Sequence, residues 1–335
     1  MLRLVFLLSL WMSATMPSCA DCLLGKVNDM APVFGDGGIY LPAKFDGMTA
    51  LFKLDTGTVH SFLYQKTAET LGVPISEYGG QIIPGPANDI VFQPGDLRAA
   101  IASLNIGRLS GRGFFLPISA QSDDAKPGGL PVIGVLGEDF LSHFDIEIDL
   151  KNSLFALYRP EGCESANLAY WTKDYNVADM VGFNPREPHV VMSGKLNDSP
   201  IAVQMVSGRS FSVVSTTAAK SRGIDSDSPD TKMLGTVAGV HGENVHGWLG
   251  SFSNFTLDEE KISRAKIAFI KFPPRTHADI EHGSRLASGG VPADMLLGYD
   301  FLRAHHVLIS HSQHKVYFSY EGAPPFAVPN EKGRS

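Results

Sequence analysis

Asp55 is followed by Thr56, Gly57 and Thr58, with Ser61 just beyond, and apolar runs flank the group, Ala50-Leu51-Phe52 before it and Phe62-Leu63 after it. An acid set at a turn between two strand-like segments is placed for chemistry rather than for solubility. A carboxylate of this kind can take a proton from water. The threonine hydroxyls can hold it in one orientation, and glycine lets the backbone approach it closely. A polar hairpin turn uses the same residue types, so the tetrad needs support from the rest of the chain.

Other reactive residues form weaker sets. Asp145, Glu147 and Asp149 alternate along a strand, and without histidines at a useful spacing they read as a solvated face rather than a metal site. His305, His306, His311 and His314 have no acid or thiol companions at metal-binding intervals, so neither metal nor cofactor is expected. Ser61 and Ser212 lack a histidine and an aspartate in a hydrolase-like order. Gly235 to Gly250 is glycine-rich but lacks the strand and helix of a nucleotide-binding motif, and Asp258-Glu259-Glu260-Lys261 reads as an exposed turn.

The elements that must position Asp55 follow from composition and pattern. A chain of 335 residues exceeds the usual size of one core, which favours two domains. Its 34 Gly and 21 Pro call for many turns and therefore short strands. A net charge of -7 without a basic run argues against nucleic acid or an anionic membrane as a partner.

Residues 1–20 read as a secretory signal peptide. Arg3 supplies the positive charge, Leu4 to Met12 an apolar stretch too short to span a bilayer, and Ser18-Cys19-Ala20 the small residues before a cleavage point. No other stretch is long and apolar enough to span. Export implies a periplasmic or secreted protein. Its remaining cysteines, Cys22 and Cys163, make an even count that suits a disulfide in an oxidising compartment.

Along the rest of the chain, Gly38 to Lys44 and Thr49 to Leu54 alternate as strands around the Asp46-Gly47 turn, and Gln65 to Leu71 is spaced as a short helix. Glu77 to Gly95 reads as a flap hairpin. Strands are expected at Ala99 to Ile106 and Gly113 to Ile118, then a glycine-centred turn at Val135-Leu136-Gly137 before Asp139-Phe140-Leu141, and a closing hairpin through Phe144 to Leu150 and Leu154 to Tyr158.

The second half repeats this order. Laid on Gly38 to Val73, the segment from His189 to Ile224 places Gly208 on Gly57, Asp198 on Gly47 and Gly223 on Gly72 without a gap. Leu296-Leu297-Gly298 then matches Leu136-Gly137 and its neighbours, again before an Asp-Phe-Leu triplet and two strand-like runs. The repeat predicts a duplicated all-β fold with minor α. Residues 21–160 form the first lobe, 161–180 a linker, 181–325 the second lobe and 326–335 a tail. Thr236 to Trp248 becomes the second flap.

An apolar strand running into Asp-Thr-Gly-Thr, a glycine-rich flap and a Leu-Gly turn in each half resemble the retropepsin-like and pepsin-like aspartic proteases, and the two-repeat exported bacterial members in particular. The resemblance covers most of both halves and implies two tandem closed β-barrels with a cleft between them. It implies that Asp55 is the catalytic carboxylate, that Thr56, Gly57, Thr58 and Ser61 support its loop, and that Leu136, Gly137, Leu297 and Gly298 form structural turns behind the two loops. It also implies a polypeptide substrate or peptide ligand, cleaved by water that a pair of carboxylates activates, one as base and one as acid.

The second lobe departs from that pattern. Val206 falls on Asp55, Ser207 on Thr56 and Arg209 on Thr58, so the degenerate loop reads Val206-Ser207-Gly208. Three readings stay open from the sequence. Asp55 can act in a homodimer in which two first lobes meet. Another side chain (His60, His241 or His246) can replace the missing acid. Alternatively, the chain is a pseudo-protease that holds extended peptides or a protein partner in its cleft.

Overall fold

In the computed structural model, the described residues are 22–326 apart from 36, 80–95, 122, 186, 241–242 and 274–292. The signal peptide and most of the first flap expected from the sequence lie outside them. The first half contains β1 (Lys26–Met30), β2 (Val33–Gly35), β3 (Gly38–Phe45), β4 (Met48–Leu54), β5 (Phe62–Tyr64), β6 (Ile75–Glu77), β7 (Leu97–Ile106), β8 (Leu109–Ser119), β9 (Val132–Leu136), β10 (Asp145–Asp149) and β11 (Leu154–Tyr158). Then come β12 (Asn176–Asp179), β13 (Val191–Leu196), β14 (Ser199–Met205), β15 (Val213–Ser215), β16 (Lys232–Ala238), β17 (Asn244–Leu257), β18 (Glu260–Ile270), β19 (Met295–Leu297), β20 (His305–Ser310) and β21 (Lys315–Tyr320). Short helices α1 (Gln65–Thr70), α2 (Glu138–Leu141), α3 (Thr216–Lys220) and α4 (Tyr299–Ala304) punctuate them.

The all-β, two-barrel architecture expected from the sequence is the one observed. In the first lobe β3, β4, β9, β5, β8 and β7 pair in that order, and β3 pairs back onto β7 to close the ring. In the second, β13, β14, β19, β15, β18 and β17 pair in order and β13 closes onto β17. Closure removes the free edges that an open sheet of this length would expose. Alternation along β4 sends apolar side chains to both of its faces. Ala50, Phe52 and Leu54 enter the barrel core, while Leu51 joins Tyr40, Tyr64, Val132 and Val135 on the opposite, cleft-side face.

The same hairpin turn opens both lobes. Asp46 and Gly47 have φ of 46° and 85°, and Asn197 and Asp198 have φ of 50° and 59°. Positive φ at both central positions marks a two-residue type I′ turn, which Asn, Asp and Gly tolerate best. It matches the right-handed twist of the strands it joins.

Beneath the barrels a third sheet takes strands from both halves in the order β1-β11-β10-β20-β21-β12. β10 and β20 meet at its centre in antiparallel register, Ile146 opposite Ile309 and Ile148 opposite Val307. Residues 161–180, read as a linker, include β12, which pairs with β21 at one edge of this sheet. Cys22 and Cys163 are bonded to each other, fixing the chain ahead of β1 to the segment that follows β11.

This sheet corrects one reading of the sequence. Asp145, Glu147 and Asp149 are not a solvated face, since all three are at most 3% exposed. Their partners come from the far half of the chain. Glu147 accepts hydrogen bonds from His306 Nε2 at 2.7 Å, Tyr158 Oη at 2.5 Å and Tyr170 Oη at 2.7 Å. Asp149 lies 3.3 Å from His306 Nδ1, and Asp145 accepts from Ser310 Oγ at 2.7 Å. The turn at Asp258 to Lys261 is likewise not wholly exposed, because Glu260 pairs with the buried His305 at 3.0 Å. No group of His, Cys, Asp and Glu with metal-site geometry occurs among the described residues.

Candidate active site

Asp55 directly follows β4, where the chain leaves the first barrel and turns before re-entering it as β5. The turn is pinned from behind by β9, which pairs parallel with β4 and antiparallel with β5. Gly134 of β9 has no room for a side chain, since a Cβ there would sit 2.1 Å from the Phe62 carbonyl oxygen. The second lobe uses the same pairing, β19 parallel to β14 and antiparallel to β15. Each lobe thus projects one loop toward the other.

The Asp55 carboxylate is held by donors from both loops. Gly57 N donates to Oδ1 at 2.8 Å, Thr58 Oγ1 to Oδ2 at 2.9 Å, and Gly208 N of the opposite loop to Oδ1 at 3.3 Å. Thr56 and Ser207 lock the loops together. Thr56 Oγ1 donates to Met205 O at 2.8 Å and accepts from Ser207 N at 3.1 Å. Ser207 Oγ donates to Leu54 O at 3.0 Å and accepts from Thr56 N at 3.0 Å. Both side chains are fully buried, so none of these groups has water as a substitute partner.

The two loops are related across this lock. A Cβ on Gly208 would meet Asp55 Cγ at 2.3 Å, and a Cβ on Gly57 would meet Val206 Cγ1 at 2.5 Å. Val206 therefore stands against Gly57 as Asp55 stands against Gly208. The hydrogen bonds recorded for the Asp55 side chain come from Gly57, Thr58 and Gly208, none of them an acid or a histidine. His60 is exposed, and His246 pairs with Thr236 in the β16–β17 hairpin of the second flap. His241 lies outside the described residues.

Ser61 and Ser212 brace the loops. Ser61 Oγ donates to Asp139 at 2.6 Å and accepts from Gly137 N at 2.9 Å. Ser212 Oγ donates to Asp300 at 2.7 Å and accepts from Gly298 N at 3.0 Å. The backbone of the preceding leucine completes each brace, with Asp55 N donating to Leu136 O at 3.1 Å and Val206 N to Leu297 O at 2.8 Å. Both turn glycines are required by contact. A Cβ on Gly137 would lie 2.6 Å from Thr58 O, and one on Gly298 would lie 2.7 Å from the Phe211 carbonyl carbon.

Behind the first loop, Glu138 N donates to Thr58 O at 2.8 Å and its side chain is fully buried. Burial pushes the Glu138 carboxyl up, against the opposing pull of His311, whose Nε2 lies 3.1 Å away. Burial acts to lower His311, but the hydrogen bond and charge of Glu138 outweigh it and leave His311 raised.

A cavity of about 330 Å³ opens over the loops. Lys53, Phe62 and Tyr64 from the first lobe and Phe211 and Val240 from the second stand around Asp55 and Val206. Burial pushes the Tyr64 phenol up, with Asp123 and Asp55 adding to the effect, so it remains neutral. Arg209, in the place that Thr58 has in the first loop, donates to Gly239 O at 2.7 Å and Ala238 O at 2.8 Å and so ties the second-lobe hairpin to the cleft. Burial lowers its guanidinium to about 10, against the favourable charges of Glu243, Asp300 and Asp55, and it stays a cation. The sequence sets Arg209 in the loop but carries no sign of this role. The acceptors are backbone carbonyls 29 and 30 residues away, and no residue type marks them.

No protein-family model matches the sequence, and no curated protein matches it. Among solved structures it is similar to a retropepsin-like aspartic protease from Rickettsia conorii, at 19% identity and a TM-score of 0.27, over 42% of this chain and 94% of that one. It is also similar to an aspartic proteinase from Irpex lacteus, at 10% identity and a TM-score of 0.45, over 88% of this chain and 97% of that one.

Proposed function

We propose that the chain is an exported protein of aspartic-protease type that holds extended polypeptide in its inter-lobe cleft, and that as a single chain it lacks two-carboxylate hydrolysis. The observation that carries this is the pairing of Asp55 with Val206 across the loop lock. Water activation in this family divides the acid and base roles between two carboxylates of split proton affinity. A valine can take neither role. The apolar walls from Phe62, Val135, Phe211 and Val240 suit alternate side chains of an extended segment.

A homodimer that pairs two Asp55 loops would need the surface that the second lobe already occupies through Thr56 and Ser207, so the single chain is the functional unit in this reading. The Cys22–Cys163 disulfide supports an oxidising compartment, periplasmic or extracellular.

A second reading, hydrolysis by Asp55 alone, is favoured by the three donors that still orient its carboxylate. One experiment separates the two. Wild type, Asp55→Asn, Val206→Asp and the double variant are incubated with a denatured protein mixture from acidic to neutral pH. The expected result is cleavage by Val206→Asp alone, in acid, lost again in the double variant. Cleavage by the wild type that Asp55→Asn abolishes would overturn the binding reading and establish the second.

A further inference from the structure

The first lobe contains a second cavity, of about 350 Å³, between the β7–β8 hairpin and α2 with the residues that follow it. Its walls are apolar, from Leu104, Leu109, Phe114, Phe140 and Phe144, and its volume falls within the range of small-molecule sites. Arg159 and His143 also line it, and both are exposed. The Arg159 guanidinium lies over the Phe144 ring at 4.9 Å, and no carboxylate pairs with it among the described residues. Asp139, also in the wall, is engaged by Ser61 N and Oγ.

The second lobe shows what the same place looks like when filled. The hairpin that pairs Ile106 with Leu109 in the first lobe pairs Leu257 with Glu260 in the second. Phe144 follows the Asp-Phe-Leu helix of the first lobe as His305 follows that of the second, and His305 closes onto Glu260 at 3.0 Å. The helix phenylalanine there, Phe301, is fully buried with His305 stacked on it at 3.9 Å. Tyr320 stands where the first lobe has Arg159 and contacts the His305 ring at 5.7 Å. Phe326, from beyond the last strand, packs edge-on against Phe255 at 5.6 Å, and Phe255 corresponds to Leu104. The chain thus seals this place in one lobe with a hydrogen-bonded His305–Glu260 pair and an apolar side chain. In the other lobe it leaves an apolar cavity with a cation at its mouth.

We infer that the first-lobe cavity is a binding site for an apolar carboxylate, a molecule with a hydrocarbon body and one anionic head such as a medium-chain fatty acid. The hydrocarbon takes the place that Phe326 takes in the second lobe, and the head pairs with Arg159. Burying the hydrocarbon body supplies the affinity. The cation selects the charge.

The test is calorimetric titration of the full chain with decanoate below its micelle concentration, beside decanol and decyltrimethylammonium as neutral and cationic chains of equal length. One decanoate per chain is expected, at least tenfold tighter than decanol, with no saturable binding of the ammonium compound. Arg159→Glu should remove that tenfold preference. The sealing pair Leu109→Glu with Phe144→His, which copies the second lobe, should abolish decanoate binding, with thermal unfolding showing that the variant folds. Absence of saturable decanoate binding to wild type would overturn the inference. So would equal binding of all three chains, or unchanged binding by the folded sealing variant.

Discussion

Thr56→Val probes the contact that makes two lobes into one cleft. Valine copies the shape of threonine, so the substitution opens no cavity and its effect is that of the lost hydroxyl. Two hydrogen bonds go, from Oγ1 to Met205 O at 2.8 Å and from Ser207 N to Oγ1 at 3.1 Å. Both abandoned groups lie in the fully buried interior of the lock. An unpaired buried polar group costs about 1–3 kcal/mol, so the pair should cost about 2–6 kcal/mol. Against a domain stability of about 5–15 kcal/mol this is a large fraction. Urea denaturation should show a lower midpoint with little change in slope, because the surface exposed on unfolding is nearly the same. Native-state hydrogen exchange should show the Ser207 amide losing protection ahead of amides in the barrel strands. A loss of stability below about 0.5 kcal/mol, or an unchanged Ser207 amide, would refute the reasoning, since either means that the bonds do not join the lobes in solution.

Gly208→Ala should displace the Asp55 carboxylate, because a Cβ would sit 2.3 Å from its Cγ; peptide binding in the cleft, followed by fluorescence anisotropy, should weaken at least tenfold while thermal unfolding shifts by only a few degrees. The Glu147 carboxyl is opposed by burial, but hydrogen bonds from His306, Tyr158 and Tyr170 more than offset it and hold the group below its ordinary value of 4.5. The unfolded state therefore binds the proton more readily, so the stability from Glu147 is present above pH about 4.5 and lost as pH falls through its lowered value. Glu147→Gln should flatten that acid limb in a series of denaturation curves. His311, raised in the folded state, has the opposite sign: its contribution is present below its ordinary value of 6.5 and lost as pH rises through the raised one, and His311→Gln should remove that alkaline slope. Cys22→Ser opens a bond between residues 141 apart in sequence and should cost about 4–5 kcal/mol in the chain-entropy account, read from the denaturation midpoint with Cys163→Ser as the matched control.

The barrels and the loops were legible in the sequence for local reasons. Strand alternation around Asp55 and Val206 needs only neighbours, and Gly134, Gly137 and Gly298 mark places where another backbone comes too near for a Cβ. The gap-free offset between the halves sets Val206 in register with Asp55, because paired loops have to share one geometry. What local pattern could not carry was the shared sheet. Alternating acids on a strand look solvated when each is judged by its neighbours, and Glu147 is buried only because His306 arrives from 159 residues away. The histidines near the C-terminus looked idle for the same reason. Glu260 read as a surface turn because its partner, His305, belongs to another element. The first-lobe cavity left no mark in sequence at all, since Leu109 and Phe144 are ordinary core types until compared with Glu260 and His305.

The antiparallel junction of β10 with β20 also orders events in time. Each barrel closes on strands from its own half, within reach of a chain that is still growing. The sheet beneath cannot form its centre until residues 305–310 have been made, and its edge strand β12 waits for β21 at 315–320. A partly synthesised chain therefore carries one finished barrel whose β10 has β11 on one side and no neighbour on the other, with Asp145, Glu147 and Asp149 short of the partners that β20 supplies. Those acids give the unfinished surface a polar edge, and their set of partners is completed when β20 brings His306 and Ser310. Maturation of the fold is thus registered at its very end, and truncation ahead of β20 leaves an acidic face in place of an apolar one.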